Sequence, residues 1–282
     1  MLAGMLGGAR VIPWFVSPVV SLGPMALDLS LIVALLGGCA ALVWARRQAR
    51  SAGLQVQRMV DGLALAMVSG LVVGHLVDVL LYRPDHLQAG WRVLLPWFGG
   101  MSSLGMLAGA CMVVAIVFRA GHGLAWDYLD QAAQPILLAI VLVRLGCFLG
   151  HDHAGRLTRF PLAVAYPGGA RHDLGLDEAI LVAGLLAVTI VWRKRLARFH
   201  GGLCLASAAG YALVRFALEF LRGTDLYLLG RHSDHRWAGF TLVQFIALPA
   251  VLLCGWAWLR LRKQAFATGQ ALPDGQRGQA RE

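Results

Sequence analysis

Two arginines in apolar surroundings set the first question about chemistry. Arg215 lies four residues before Glu219, so the two share a helix face and can pair, which lowers the cost of holding either charge in lipid. Arg144 stands in another apolar stretch with no charged residue four positions away, so it needs an anion or carbonyl oxygens from elsewhere in the fold. A guanidinium never deprotonates and grips phosphate oxygens through paired N–H groups. Arg144 and Arg215 together would therefore clamp the phosphate of an anionic lipid, and the bland reading of Arg215 and Glu219 is a structural ion pair. For proton transfer the sequence offers His151 beside Asp152 and His75 near Asp78, because a carboxylate favours the charged imidazole. His151-Asp152 reads equally as a solvated turn. Imidazoles and carboxylates also gather at His151-Asp152-His153 with His172, and at His232-Ser233-Asp234-His235, but neither has zinc-ligand spacing. Gly100-Met101-Ser102-Ser103 is similar to the serine segment of intramembrane proteases but lacks the glycine that should follow. Paired serines in an apolar helix serve packing or hydrogen bonding.

Such residues must be carried on membrane helices. The chain has 282 residues, 58% hydrophobic and 14% charged, against about 45–50% and about 25% in soluble proteins, which excludes a soluble globular enzyme. Its apolar runs match the ~20 residues a helix needs to cross the hydrocarbon core. The reading is an all-α polytopic membrane protein with about seven transmembrane helices: 27–44, 60–82, 96–118, 131–149, 174–192, 201–221 and 239–259. Residues 1–26 form an extracytoplasmic arm and residues 27–260 the seven-helix domain. Residues 261–282 form a polar cytoplasmic tail. Alternate loops divide the basic residues outside the spans fourteen to nine. The positive-inside bias then places the N-terminus outside and the C-terminus in the cytoplasm. On that orientation His75, Asp78, Gly99, Gly100, Arg144, Asp177, Glu178, Arg215, Glu219 and Gln244 all fall in the outer halves of their helices, so the chemistry belongs at the outer leaflet. The net charge of +10 then reflects cytoplasmic loops and phosphate-binding groups, and no nucleic-acid partner is implied. Five cysteines in apolar stretches, with no CxxC pair, give no disulfide or thiolate metal framework.

The residues resemble the bacterial phosphatidylglycerol:prolipoprotein diacylglyceryl transferases. The stretch from Arg144 through Gly146, Phe148 and Asp152, followed by Gly155-Arg156, Pro161 and Tyr166-Pro167, is similar to the family's R-x-G-N-F-x-N-G-E…G-R…P…F-P. Arg171-His172 and Glu178 are similar to R-H-P-x-Q-L-Y-E. Gly210-Tyr211, Arg215-Phe216, Glu219-Phe220 and Arg222 are similar to Y-G-x-x-R-F-x-x-E-F-x-R. Gly239-Phe240-Thr241 with Gln244 is similar to G-x-T-x-x-Q, and Gly99-Gly100-Met101 to G-G-L. The match runs from about Pro18 to Leu259.

The resemblance implies seven helices, no cofactor and no metal. It implies transfer of a diacylglyceryl group from phosphatidylglycerol to the cysteine thiol of a prolipoprotein signal peptide, at the outer face of the bacterial inner membrane. Arg144, Arg215 and Arg222, with Gly99, Gly100 and Gln244, would bind the phospholipid, and Glu219 would join the catalytic set. The chain departs from the pattern where protons are handled: Leu104 stands at the family's histidine, and Cys147 and Gly150 replace two asparagines. An active chain would then rely on His151 with Asp152, or on His75. The competing readings are a relative that binds anionic phospholipid without catalysis, and a transporter. The latter would need charges in the inner halves of the helices, which are not seen.

Overall fold

The computed structural model describes residues 11–22, 25–82, 84–94, 100–118, 124–225 and 236–269. The protein is an all-α polytopic membrane protein, and among the described residues six helices are long and apolar enough to span a bilayer. In chain order the elements are strands β1 (Val19–Leu22) and β2 (Met25–Asp28), then helices α1 (Leu29–Ser51), α2 (Val56–Val77), α3 (Ser103–Val117) and α4 (Leu124–Leu149). Strands β3 (Ala154–Leu157), β4 (Val164–Tyr166) and β5 (Gly169–Asp173) come next. Helices α5 (Leu174–Val191), α6 (Arg193–Leu196) and α7 (Gly202–Leu218), strands β6 (Arg236–Trp237) and β7 (Phe240–Thr241), and helix α8 (Leu242–Ala267) complete the chain. Many large apolar side chains on the helices face outward, among them Leu35, Leu36, Leu252 and Leu253. In a bilayer those positions meet lipid tails.

The helix expected over 96–118 is described as α3, 15 residues long; residues 95–99, and with them Gly99, lie outside the described residues. The other expected spans are present with shifted ends. α4 begins seven residues before the expected 131, and α8 runs eight residues past the expected 259. Three small sheets, absent from the sequence reading, lie between helices: β1-β2, β3-β5-β4 and β6-β7, each antiparallel.

The chain forms two compact units, Met1–Ala40 with Ile136–Glu282, and Ala41–Pro135. In the second unit α2 and α3 lie against each other with almost no side chain between them. A Cβ on Gly105 would come within 2.8 Å of Gly74 Cα, and one on Gly109 within 2.5 Å of the Ser69 carbonyl. Small residues thus allow the backbones to meet, as membrane helix pairs require. The apolar core of this unit is Ala45, Ala49, Met59, Leu63, Phe118, Tyr128 and Ala132. Past α2 the helix widens into a π-turn at Asp78–Tyr82, and a 3-10 segment follows at Pro84–Leu94.

In the first unit α1 and α4 approach at Gly146, where a Cβ would sit 2.6 Å from the Ser30 carbonyl. The sheet β3-β5-β4 fills the connection between α4 and α5, and its apolar heart is Ala154, Val164 and Tyr166. Residues 11–18 run along this sheet: Ile12 N–H donates to the Ala163 carbonyl (2.8 Å), and Ala165 N–H donates to the Ile12 carbonyl (2.9 Å). The arm then hands over to β1, where Ser17 Oγ donates to Asp28. That hydrogen bond, with a second from Ser30 N–H, holds the Asp28 carboxyl below the usual carboxylate range.

Candidate functional site

Helices α4, α5 and α7 each bring one ionisable face to the same place in the first unit. Arg144, near the end of α4, meets Glu178 in the second turn of α5, with Nε 3.0 Å from Oε1. The anion that Arg144 needs is thus supplied by a neighbouring helix. Arg215 near the end of α7 donates to the same carboxylate, Nη1 to Oε2 at 2.6 Å, and Tyr211 one turn earlier donates its hydroxyl to Glu178 Oε1 at 2.9 Å. Arg215 Nη2 also reaches Glu219 at 3.0 Å, the pair expected from their four-residue spacing. Arg222 closes the row, its Nε 3.1 Å from Glu219 Oε2. The row is Arg144, Glu178, Arg215, Glu219, Arg222.

The side chains of Glu178 and Glu219 are 1% and 2% exposed, those of Arg144 and Arg215 14% and 12%. The carboxylates are therefore spent inside the protein, while the guanidinium groups keep an edge open. Among the described residues the row sets the guanidinium groups of Arg144, Arg215 and Arg222 against the carboxylates of Glu178 and Glu219.

The start of α8 locks onto this row from the far side. Thr241 caps α8, accepting from Gln244 N–H, and its hydroxyl donates to Glu219 Oε2 at 3.0 Å. Gln244 completes a capping box: its side-chain oxygen accepts from Thr241 N–H (3.0 Å), and its amide nitrogen donates to the Phe216 carbonyl (3.2 Å). Gln244 is 1% exposed, and both ends of its carboxamide are engaged in holding α8 to α7. Gln244, expected among the phospholipid-binding residues, is placed here as an anchor between the two helices. Arg236 Nη2 adds bonds to the carbonyls of Glu219 (3.2 Å) and Arg222 (3.3 Å).

Below the row, the small sheet is tied to the segment after α7. Arg171, 1% exposed, donates through both terminal nitrogens to the carboxylate of Asp225, at 2.9 and 2.5 Å. The pair holds Asp225 below, and Arg171 above, its ordinary pKa, the hydrogen bond being the largest cause in each case. Gly155 makes the junction close: a Cβ there would lie 2.8 Å from both His172 Cβ and the Leu221 carbonyl.

The proton-handling candidates have different surroundings. The carboxylate that takes His151 Nδ1 is that of Asp173 (3.0 Å) rather than the adjacent Asp152, whose side chain is exposed. Adjacency in sequence misleads here because His151 has a left-handed backbone, φ 50, which turns its ring back into the sheet. In the second unit His75 Nε2 lies 2.7 Å from the Val93 carbonyl. A carbonyl only accepts, so Nε2 carries the proton and Nδ1 keeps its lone pair in the neutral ring. That Nδ1 is buried and has no hydrogen-bond partner among the described residues. Asp78 Oδ2 accepts from Gly100 N–H at 2.9 Å, and Ser102 N–H donates to the Gly74 carbonyl at 3.0 Å, so His75 and Asp78 stand at the approach to α3. Ser102 is the N-cap of α3, its Oγ accepting from Gly105 N–H, which is a structural employment. His232 and His235 lie outside the described residues.

Glu178, Tyr211, Thr241 and Asp173 are the site residues to which sequence reasoning gave no role. Glu178 carried a signal, being a carboxylate inside an apolar run, but its arginine partners are on other helices and no spacing reveals them.

A family model described as prolipoprotein diacylglyceryl transferase matches residues 18–260. The chain is 31% identical over 266 residues to a phosphatidylglycerol–prolipoprotein diacylglyceryl transferase of Rhizobium leguminosarum bv. trifolii, covering 87% of this chain and 91% of that protein. It is 31% identical to one of the same name from Chromohalobacter salexigens (84% and 91% covered) and 32% identical to one from Cereibacter sphaeroides (75% and 79%). With a row of three arginines and two buried glutamates at the positions the signature requires, and a match over nearly the whole chain, this protein belongs to the prolipoprotein diacylglyceryl transferase family.

Proposed function

We propose that this protein transfers the diacylglyceryl group of phosphatidylglycerol to the lipobox cysteine of a prolipoprotein signal peptide, at the outer face of the bacterial inner membrane. The observation that carries the reading is the convergence of Arg144 and Arg215 on the buried Glu178, each guanidinium side chain keeping part of its surface exposed. A phosphodiester head group is the anion that completes it.

The chemistry asks for three things. The thiol must lose its proton, since only the thiolate attacks well. Its sulfur then forms a bond to the glycerol carbon bearing the phosphate ester, and the carbon–oxygen bond to phosphate breaks. Glycerol phosphate leaves with the electron pair, and preorganised cations hold its charge, which is the role of Arg144 and Arg215. The carboxylates Glu178 and Glu219 keep those arginines aimed before substrate arrives.

For the proton, the reading assigns His75. Leu104 stands at the family's histidine position, and the candidate acceptor is the Nδ1 lone pair of His75. His151 is committed to Asp173. Leu104 also favours a second reading, in which the protein binds phosphatidylglycerol without transferring it.

A transfer assay with purified protein, phosphatidylglycerol and a lipobox peptide separates the two. Wild type should lipidate the peptide. His75→Ala should lose about 10²–10⁴-fold in rate, the usual worth of a general base. Arg144→Lys and Arg215→Lys should lose phosphatidylglycerol affinity, because an ammonium does not reproduce a bidentate fork. Phosphatidylglycerol binding without transfer by wild type would select the second reading, and full affinity in both lysine variants would reject the clamp.

A further inference from the structure

We infer that His151 is a positioning residue, a clasp that fastens the N-terminal arm to the junction of α4 and α5 and so holds Arg144 and Glu178 in register. The inference rests on the functional reading of the arginine row and adds a residue that acts on it from behind. Four observations meet at this side chain. His151 is 2% exposed, yet it sits at a backbone φ of 50, the left-handed region that favours glycine.

The ring is held on several sides. Trp14 of the arm stacks on it with centroids 4.3 Å apart and planes 22° apart, and Phe15 lies 4.3 Å away at 58°. Phe148 of α4 and Tyr166 of β4 meet it edge-on at 5.6 and 5.5 Å. One imidazole therefore joins the arm, α4 and the sheet.

Its Nδ1 gives the direction. Nδ1 donates to Asp173 Oδ2, which also accepts the Tyr166 hydroxyl at 2.7 Å. The other oxygen, Oδ1, accepts the first free N–H groups of α5, from Gly175 at 2.9 Å and Leu176 at 3.2 Å. Asp173 is thus the N-cap of α5 and the anchor of His151 at once. The start of α5 in turn lies directly on the end of α4: a Cβ on Gly175 would be 2.7 Å from Phe148 N and 3.1 Å from the Arg144 carbonyl. Glu178, the carboxylate shared by Arg144 and Arg215, is one turn further along α5. A shift of the cap moves Glu178, and displacements on the order of 1 Å in such an arrangement cost about 10²-fold in rate.

Two variants isolate the clasp. His151→Gly removes the ring and leaves a residue suited to the backbone, so the fold is not put at risk by strain. Asp173→Asn keeps Oδ1 to cap α5 and replaces Oδ2 with an amide nitrogen that accepts nothing. Hydrogen exchange at Ile12 and Ala165 reads arm docking, and at Gly175 and Leu176 the cap; phosphatidylglycerol affinity and transfer rate are measured alongside.

The expected result for His151→Gly is faster exchange at both places and a roughly 10- to 10²-fold loss of phosphatidylglycerol affinity or transfer rate, with unchanged KM for the lipobox peptide. Asp173→Asn should lose about as much, and the double variant little more than either, since they break one connection. Unchanged exchange in His151→Gly, full additivity of the two losses, or faster exchange with undiminished lipid affinity and rate would each overturn the clasp. A wild-type protein with no transferase activity would sink the functional reading alone, because exchange and lipid affinity still report on the clasp.

Discussion

The hydroxyl hydrogen of Thr241 can go to one acceptor, and it goes to Glu219. That makes Thr241, 1% exposed, the joint between the cap of α8 and the row that holds Arg215 and Arg222. A hydrogen bond to a charged group is worth about 1.5–3 kcal/mol, so Thr241→Val should weaken phosphatidylglycerol binding or transfer by roughly tenfold or more, and Thr241→Ser should restore it. Gln244→Ala, which loosens the same cap without touching Glu219, should lower thermal stability more than it lowers affinity. Equal behaviour of Val and Ser at 241 in the lipid-binding measurement would refute the joint. The sequence made the arginines legible, because a guanidinium in an apolar run has no bland explanation. It made Arg215 and Glu219 legible as a pair, because four residues is a helical repeat. Thr241 and Tyr211 were visible only as letters in a pattern, since their acceptors are brought to them by tertiary packing.

At the scale of elements, the weight falls on the short β3-β5-β4 sheet and the segment after α7. These strands are three to five residues long, and nothing in their alternation distinguishes them from loop, so the sequence reading passed over them. Helix ends were misjudged for a related reason: α4 starts early on Leu124, in a stretch containing Asp127 and Asp130, where amphipathic residues blur the apolar signal. The sheet is stapled by Arg171 and Asp225, and the sign of its pH response follows. Asp225 has its pKa lowered in the folded protein by the Arg171 hydrogen bond. The stability it contributes is therefore present above the ordinary aspartate range of about 3.9 and is lost as the pH falls through the lower folded value. Thermal unfolding of wild type and Asp225→Asn should differ at neutral pH, wild type being the more stable, and converge in strong acid. A difference that persists unchanged at low pH would mean that the staple acts through packing and not charge.

For the whole molecule, the number of crossings can be argued from which helix ends meet. Gly146, near the end of α4, lies against Ser30 at the start of α1, so α1 begins on the side of the membrane where α4 finishes. Their other ends are joined as well, Gln48 Nε2 donating to Gln134 Oε1 at 3.3 Å. α1 therefore ends, and α4 begins, on the opposite side, and the chain between them must cross an even number of times. Since α2 with its π-turn is long enough to span, over Val56–Leu81, α3 must bring the chain back, although 15 residues rise only about 22 Å against a core of about 30 Å. The expected total is then seven crossings. Arg144, Glu178, Arg215 and Thr241 sit at alternating ends of α4, α5, α7 and α8, as one membrane face requires, and from the fourteen-to-nine distribution of basic residues that face is expected outside. Alkaline phosphatase fused after Trp237 should accordingly be active, and fusions after Arg195 and after Arg50 inactive. An active fusion at Arg50 with the other two as expected would mean six crossings and a non-spanning α3. Reversal at Arg195 and Trp237 would place the arginine row at the cytoplasmic face, where the proposed acceptor is not presented.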